Sequence, residues 1–150
     1  MLTTKLTKRD VEEKPYCIWN SFVELLASHD YTEFSPEQRP AHLVFWYESE
    51  VQNGGHLQYF ENRRVEHLEA TVEALGILGA SCQQQVLREA RELFLSITRE
   101  RVRTVEEYVS TALADEFGTL DQRFGQCSPS LQQCLERHLE KHQDRFVTVA

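Results

Sequence analysis

The sequence predicts an all-α fold, a single compact bundle of about six or seven helices. Apolar residues recur three and four positions apart over most of the chain, which is the spacing of amphipathic helices. No run of alternating apolar and polar residues is long enough to indicate a strand. The 150 residues contain no repeat or low-complexity tract, so they fit one domain with one core. We expect residues 1–9 to form a flexible arm and residues 10–150 to form the domain.

The first two helices are placed by their boundary residues. Apolar residues at helical spacing extend from Val11 to about His29, and Pro15 fits only the first turn of a helix. The segment Ser35-Pro36-Glu37-Gln38 is a capping box with proline at the first helical position, which predicts the start of the second helix. That helix is expected to continue to about Gln52.

Later helices are predicted by similar signals. An apolar stripe at helical spacing covers residues 65–75. The patterns Ser81-x-x-Gln84 and Thr104-x-x-Glu107 are capping boxes that each begin a further helix, and Ser128-Pro129 opens the last one. Between them, residues 114–126 are expected to form a short helix or an ordered turn.

The second helix ends in a polar, glycine-rich stretch that predicts a joint between two helices. Glu50 lies on the same arc as Trp46 and Tyr47, so a carboxylate points where a leucine is expected. Asn53-Gly54-Gly55 should then break the helix, because Asn and Gly tolerate the left-handed conformation that a helix C-terminus needs. An ionised Glu50 could accept hydrogen bonds from the backbone of this turn or from nearby side chains. The candidate side-chain partners are Gln58, Tyr59 and Asn62.

The joint belongs to a longer pattern, Trp46-Tyr47-x-x-Glu50-Val51-x-Asn53-Gly54-Gly55-x-x-Gln58-Tyr59-Phe60-x-Asn62. This pattern resembles the signature of the DNA mimic protein family, whose members have a small all-helical domain. The sequence departs from the family pattern at His56, where phenylalanine is usual, and at Gln52, where asparagine is common. The resemblance implies an acidic interaction protein that occupies the basic surface of a DNA-binding protein.

Two interpretations of the joint itself stay open. In the structural one, its polar side chains satisfy one another and the free backbone groups where two helices meet. In the functional one, Glu50, Asn53, His56, Gln58 and Tyr59 line a ligand site. Glu50 and His56 could form an acid–base couple, but no nucleophile or second carboxylate lies nearby in the sequence, so a non-enzymatic role is favoured. The residues assigned to the joint are Glu50, Asn53, Gly54, Gly55, Gln58, Tyr59, Phe60 and Asn62.

The last predicted helix carries three side chains of metal-ligand type at four-residue spacing, Cys134, His138 and His142. Zinc could bind two of them at i and i+4, but not all three, because residues i and i+8 lie about 12 Å apart on a straight helix. A complete site would need Cys127 or an acidic residue from elsewhere. Packed or partly exposed histidines are therefore the simpler interpretation, and no cofactor is predicted.

The net charge of the chain indicates which class of partner to expect. The chain has 16 basic and 24 acidic residues, for a formal net charge of −8 at pH 7. Nucleic-acid binding needs a basic surface, so the expected partner is a basic protein such as a DNA-binding regulator, with no direct nucleic acid. No apolar run reaches the ~18 residues of a membrane span, and the N-terminus lacks the apolar segment of a secretory signal. A cytoplasmic protein without a membrane partner is predicted.

The spacing of the cysteines also predicts a cytoplasmic protein. The four cysteines include no C-x-x-C pair and lie within apolar or helical patterns. This arrangement favours reduced thiols in the cytosol over a disulfide framework. The residues concerned are Cys17, Cys82, Cys127 and Cys134.

Two groups of acidic residues are candidates for binding a basic partner. Glu66, Glu69 and Glu73 form a column of like charges over about 10.5 Å of predicted helix, which loosely approaches the one phosphate per ~3.4 Å of a DNA strand. Like charges at this spacing destabilise a helix, so no local benefit explains the column. An ordinary solvated face is the alternative explanation. The full set of predicted partner-binding residues is Glu66, Glu69, Glu73, Asp115, Glu116 and Asp121.

Two classes of function follow. The first is an acidic interaction protein, a DNA mimic that places carboxylates where phosphates would lie on the basic surface of a DNA-binding or regulatory protein. The second is a small-ligand or metal-binding helical domain centred on the joint, with enzymatic activity left open. An immunity or antitoxin-like role is also compatible with a small acidic protein. A homodimer stays open as well, because Phe45 faces away from the main apolar arc of the second helix.

Overall fold

Seven α-helices form most of residues 1–96 and 116–150, the part of the chain that the computed structural model describes. They are α1 (Lys8–Glu13), α2 (Cys17–Ser28), α3 (Arg39–Arg63), α4 (Leu68–Ile77), α5 (Ser81–Ser96), α6 (Gly118–Gln126) and α7 (Leu131–His142). The other elements are strands β1 (Thr4–Leu6) and β2 (Val147–Val149) and the 3-10 turns Tyr31–Glu33 and Gln143–Arg145. The prediction of an all-α fold is confirmed.

Helix α3 is the element against which α2, α4, α6 and α7 pack. Its backbone leaves helical geometry at Gly54 and Gly55, so the predicted break is confirmed. Tyr47 in the first half of α3 and Phe60 in the second half are both almost fully buried. The Phe60 ring stacks on Phe94 of α5 with the ring centroids 4.4 Å apart. The bend therefore allows both halves of one long helix to contribute aromatic rings to a single core.

The capping box predicted for the second helix is half formed. The Ser35 N–H donates to Gln38 Oε1 at 3.0 Å, but the buried Ser35 hydroxyl has no hydrogen-bond partner. The side-chain nitrogen of Gln38 donates to the backbone oxygens of Leu2 and Arg145. Gln38 thus ties the start of α3 to segments near both chain termini, and the regular helix begins at the next residue.

Later helix starts lie close to the predicted positions. Helix α5 begins at Ser81, the first residue of the predicted capping box. The Gln84 side chain of that predicted box donates a hydrogen bond of 2.9 Å to Val72 O on α4. Helix α7 follows a complete capping box formed by Ser130 and Gln133, two residues after the predicted Ser128-Pro129 signal. The helix predicted to begin at Thr104-x-x-Glu107 lies outside the described residues.

Strands β1 and β2 connect the two ends of the chain. They pair in parallel, with Thr4 opposite Val147 and Leu6 opposite Val149. The sequence predicts a flexible arm over residues 1–9 and no strand, whereas the structure places Thr4–Leu6 in this ladder. A three-residue strand is too short for a readable alternation of side chains, and its partner lies near the opposite terminus.

The prediction of four reduced cysteines is wrong for one pair. Cys82 in the first turn of α5 and Cys127 directly after α6 form a disulfide, with their Cα atoms 5.7 Å apart. The two residues are 45 positions apart, so only the packing of α5 against α6 brings them together. Cys17 and Cys134 are free thiols.

The structure also bears on the membrane prediction. Among residues 1–96 and 116–150, no helix combines the length and the apolar character needed to cross a membrane.

Candidate functional site

The joint in α3 depends on a glycine at position 55. Its φ of +69° lies in the range that side-chain-bearing residues rarely adopt, and its ψ is −173°. A Cβ atom at this position would lie 2.9 Å from Cγ of Asp121 on α6, and closer still to its Oδ2, so the Asp121 carboxylate would have to move. Gly55 is therefore required twice, by its own backbone angles and by the approach of α6.

Glu50 is held by two amide side chains from the second half of α3. It is buried, and its Oε2 accepts hydrogen bonds from Gln58 Nε2 at 2.8 Å and from Asn62 Nδ2 at 2.7 Å. Asn53 Nδ2 in turn donates to Gln58 Oε1 at 2.9 Å. Arg63 lies at a longer distance, with its NH2 atom 3.7 Å from Glu50 Oε1. Of the partners predicted for Glu50, Gln58 and Asn62 bind it.

A second hydrogen-bonded chain runs across the joint through His56. Its imidazole is fully buried, with Nε2 2.7 Å from the Tyr47 hydroxyl and Nδ1 2.6 Å from Asp121 Oδ1. The backbone N–H of His56 donates to the same carboxylate oxygen at 2.8 Å. This chain links the first half of α3, the second half of α3 and α6.

The bonding partners indicate where the protons lie along this chain. A carboxylate only accepts hydrogen bonds, so Nδ1 of His56 carries a proton directed at Asp121. Burial raises the pKa of the Tyr47 hydroxyl well above its usual value, so this hydroxyl keeps its proton. The Tyr47 hydroxyl and His56 Nε2 share the second hydrogen bond of the chain. The His56 imidazole is bonded at both nitrogens and has no contact with solvent. Such a group is suited to holding helices in place rather than to contacting a substrate.

Asp121 has a contact that the sequence does not predict. The sequence groups it with exposed acidic residues that bind a partner, and in the structure its side chain is 36% exposed and is bonded to His56. Asp121 and His56 are 65 positions apart, and no local sequence pattern indicates this pairing. Of its predicted companions, Glu116 is exposed and Asp115 lies outside the described residues.

The aromatic residues of the motif belong to the core. Tyr59 is buried and packs edge-on against Tyr47 with ring centroids 5.0 Å apart. Burial raises the pKa of the Tyr59 hydroxyl to about 12. Together with the stacked Phe60, these rings fill the space beneath the bend. The polar and aromatic groups of the motif are thus bonded to or packed against one another, which favours a structural joint over an open ligand site.

The remaining acidic candidates lie in and before α4. Glu69 and Glu73 are on the helix, whereas Glu66 lies in the turn that precedes it, so the three do not form one helical column. The side chains of Glu66 and Glu69 are 72% and 75% exposed. Both carboxylate oxygens of Glu69 accept hydrogen bonds of 2.8 Å from Arg91 on α5.

The cysteine and histidines of α7 are placed by packing. Cys134 and His138 are buried, and the His138 ring lies 4.7 Å from the His142 ring between centroids. Burial, with the nearby His142, lowers the pKa of His138 to about 4. Within the described parts of the chain, no three His, Cys, Asp or Glu side chains are grouped to hold a metal ion.

Comparison with known proteins finds one similarity. A protein-family model described as DMP19-like protein matches residues 32–142, which include the joint and all of the described helices from α3 to α7. No curated protein and no solved structure matches the chain.

Proposed function

Because the chain belongs to the DMP19-like protein family, a family of DNA mimic type, we propose that it is an acidic interaction protein that occupies the basic surface of a DNA-binding or regulatory protein. The observation that carries this proposal is the family match over residues 32–142. The match confirms the resemblance carried by the motif at residues 46–62. The net charge of −8 supports the same role, because a basic surface attracts an acidic protein over distances of several ångströms.

We assign partner binding to the exposed carboxylates near the start of α4. Glu66 and Glu69 are largely exposed, and Glu73 lies one helical turn beyond Glu69. Residues four positions apart on a helix are separated by about 6 Å along its axis, which is of the order of phosphate spacings in DNA. Asp121 lies apart from these carboxylates, on α6, and is bonded to His56.

The ion pair between Glu69 and Arg91 is compatible with this role. Exposed ion pairs contribute little to stability, since water and salt compete with both groups. An arginine or lysine of the partner can therefore replace Arg91 at the carboxylate. Arg91 would keep Glu69 extended toward the solvent until the partner arrives.

A charge-neutralising variant tests the proposal. In Glu66→Gln, Glu69→Gln, Glu73→Gln, the negative charge of this surface is removed with little change in side-chain size. Basic proteins captured from cell lysate by the unaltered chain at low salt should be released as salt is raised, and the triple variant should capture them at least about ten-fold less well.

The matched control removes the same number of charges elsewhere. Glu24, Glu136 and Glu140 are exposed and lie on α2 and α7. Their triple glutamine variant has the same net charge, so it should keep nearly all of the binding. Equal losses in the two variants would mean that net charge alone attracts the partner, and the absence of any salt-sensitive basic partner would refute the proposal.

A further inference from the structure

A cavity of about 310 Å³ lies against α3 and is lined by residues from both halves of that helix. Its walls come from residues 27–32 at and after the end of α2, from α3, and from the turn before α4 and the first residues of α4. The buried Tyr47 and Tyr59 are among the lining residues. We propose that this cavity, called here the Trp46 cavity, binds a small planar aromatic carboxylate. The volume is within the range of small-molecule sites, at its lower end.

Flat side chains form two walls of the Trp46 cavity. The Tyr31 and His67 rings stack with centroids 3.8 Å apart and planes 25° apart. The Trp46 indole is held by a hydrogen bond of 3.3 Å from its Nε1 to Leu26 O. Both groups line the cavity. Such fixed aromatic faces favour a planar ring, which can stack on them without ordering further side chains.

Arg63 supplies a positive charge beside these walls. Its guanidinium lies over the Trp46 ring, 5.0 Å from the centroid. Its Nε atom is buried and has no hydrogen-bond partner, whereas its NH2 atom lies 3.7 Å from Glu50 Oε1. Buried N–H groups normally have an acceptor. A ligand carboxylate would provide one, and the planar guanidinium matches the geometry of a carboxylate.

The lining of the cavity holds other titratable groups besides Arg63. Nδ1 of His42 lies 3.2 Å from Leu26 O and donates to it, and burial lowers the pKa of His42, so this ring is neutral. Glu66 is exposed and lies 3.4 Å from His67 Nε2. Asp30 is a second exposed carboxylate of the lining. Arg63 is the lysine or arginine of this lining, and its buried, unpaired Nε, rather than the net charge of the lining, is what selects a carboxylate.

The turn that carries Arg63 and His67 is strained. His67 has φ 55° and ψ 21°, and Arg64 has φ 52° and ψ −122°, a combination that normally requires glycine. Strained non-glycine residues concentrate where the surrounding structure positions groups for binding. Here the strained turn places two residues on the same cavity.

Isothermal titration calorimetry with indole-3-carboxylate tests the proposal. The unaltered chain should bind it, and the neutral analogue indole-3-carboxamide should bind at least about ten-fold more weakly because it lacks the charge that pairs with Arg63. Arg63→Gln should weaken carboxylate binding by a similar factor, and Trp46→Leu should weaken both ligands. Arg91→Gln, an equivalent change outside the cavity, should leave binding unchanged.

The ligand comparison needs no variant, so it stands even if Arg63→Gln fails to fold, which circular dichroism would reveal. No heat of binding at the highest soluble concentration of indole-3-carboxylate would overturn the proposal. Equal affinity for the acid and the amide, or binding that survives in both folded cavity variants, would overturn it too. None of these results depends on whether the protein binds a basic partner.

Discussion

The joint and the Trp46 cavity both include residues of α3, but they differ in whether their polar groups have protein partners. At the joint, the Glu50 carboxylate and the His56 imidazole each have protein partners within hydrogen-bond distance. At the cavity, the buried Nε of Arg63 has none. Polar groups that are bonded to one another stabilise a fold, whereas a buried donor of a cavity-lining side chain has no protein acceptor to give up when a ligand binds.

Backbone strain separates the two regions in the same way. The joint adopts a positive φ with glycine, Gly55, where the conformation carries little strain. The turn beside the cavity adopts positive φ at Arg64 and His67, and in these side-chain-bearing residues the conformation is strained. The hydrogen bonds among the motif residues therefore favour a structural joint, and the cavity proposed as a binding site takes most of its lining from outside the motif.

The largest effect is expected from Gly55→Ala. The new Cβ would be strained by the positive φ and would collide with Asp121, so we expect the free energy of unfolding to fall by about 4 kcal/mol in urea titrations. Gly125→Ala in α6 is the control, because nothing lies within 4 Å of a Cβ there. It should be neutral or slightly stabilising. A similar small effect at both positions would show that the joint tolerates a side chain.

A smaller effect is expected from His56→Phe, which introduces the residue common in the family pattern. The Tyr47 hydroxyl would lose its partner while fully buried, and the free energy of unfolding should fall by about 2 kcal/mol. Adding Tyr47→Phe removes the unpaired hydroxyl and should restore about 1 kcal/mol. Chemical denaturation of the two single variants and the double variant gives the coupling. Strictly additive losses would argue against the chain through His56.

The smallest effect is expected at the strained turn. Arg64→Gly relieves the backbone, whereas Arg64→Ala keeps the strain, and both remove the guanidinium from its place 5.5 Å from the Phe94 ring centroid. The glycine variant should therefore be more stable than the alanine variant by about 1 kcal/mol in thermal or urea unfolding. If the alanine variant is as stable as the glycine variant, the backbone at Arg64 is not strained, and strain does not distinguish this turn from the joint.

Much of the joint was predictable because its parts are close in the chain. Gln58 and Asn62 lie 8 and 12 positions from Glu50, so helical periodicity and a glycine break were enough to bring them together. The helix break itself follows from the conformational freedom of two adjacent glycines. The contact of Asp121 with His56 could not be predicted from the sequence, since the two residues are 65 positions apart.

The sequence by itself determined the helical class, the break in α3, the main partners of Glu50 and the family resemblance, because each depends on residue types within a few helical turns. Tertiary structure alone decided that Cys82 meets Cys127, that β1 pairs with β2, and that residues after α2 enclose a cavity against α3. These contacts join distant segments. Their geometry is set by how the helices pack, and no local pattern of residues records it.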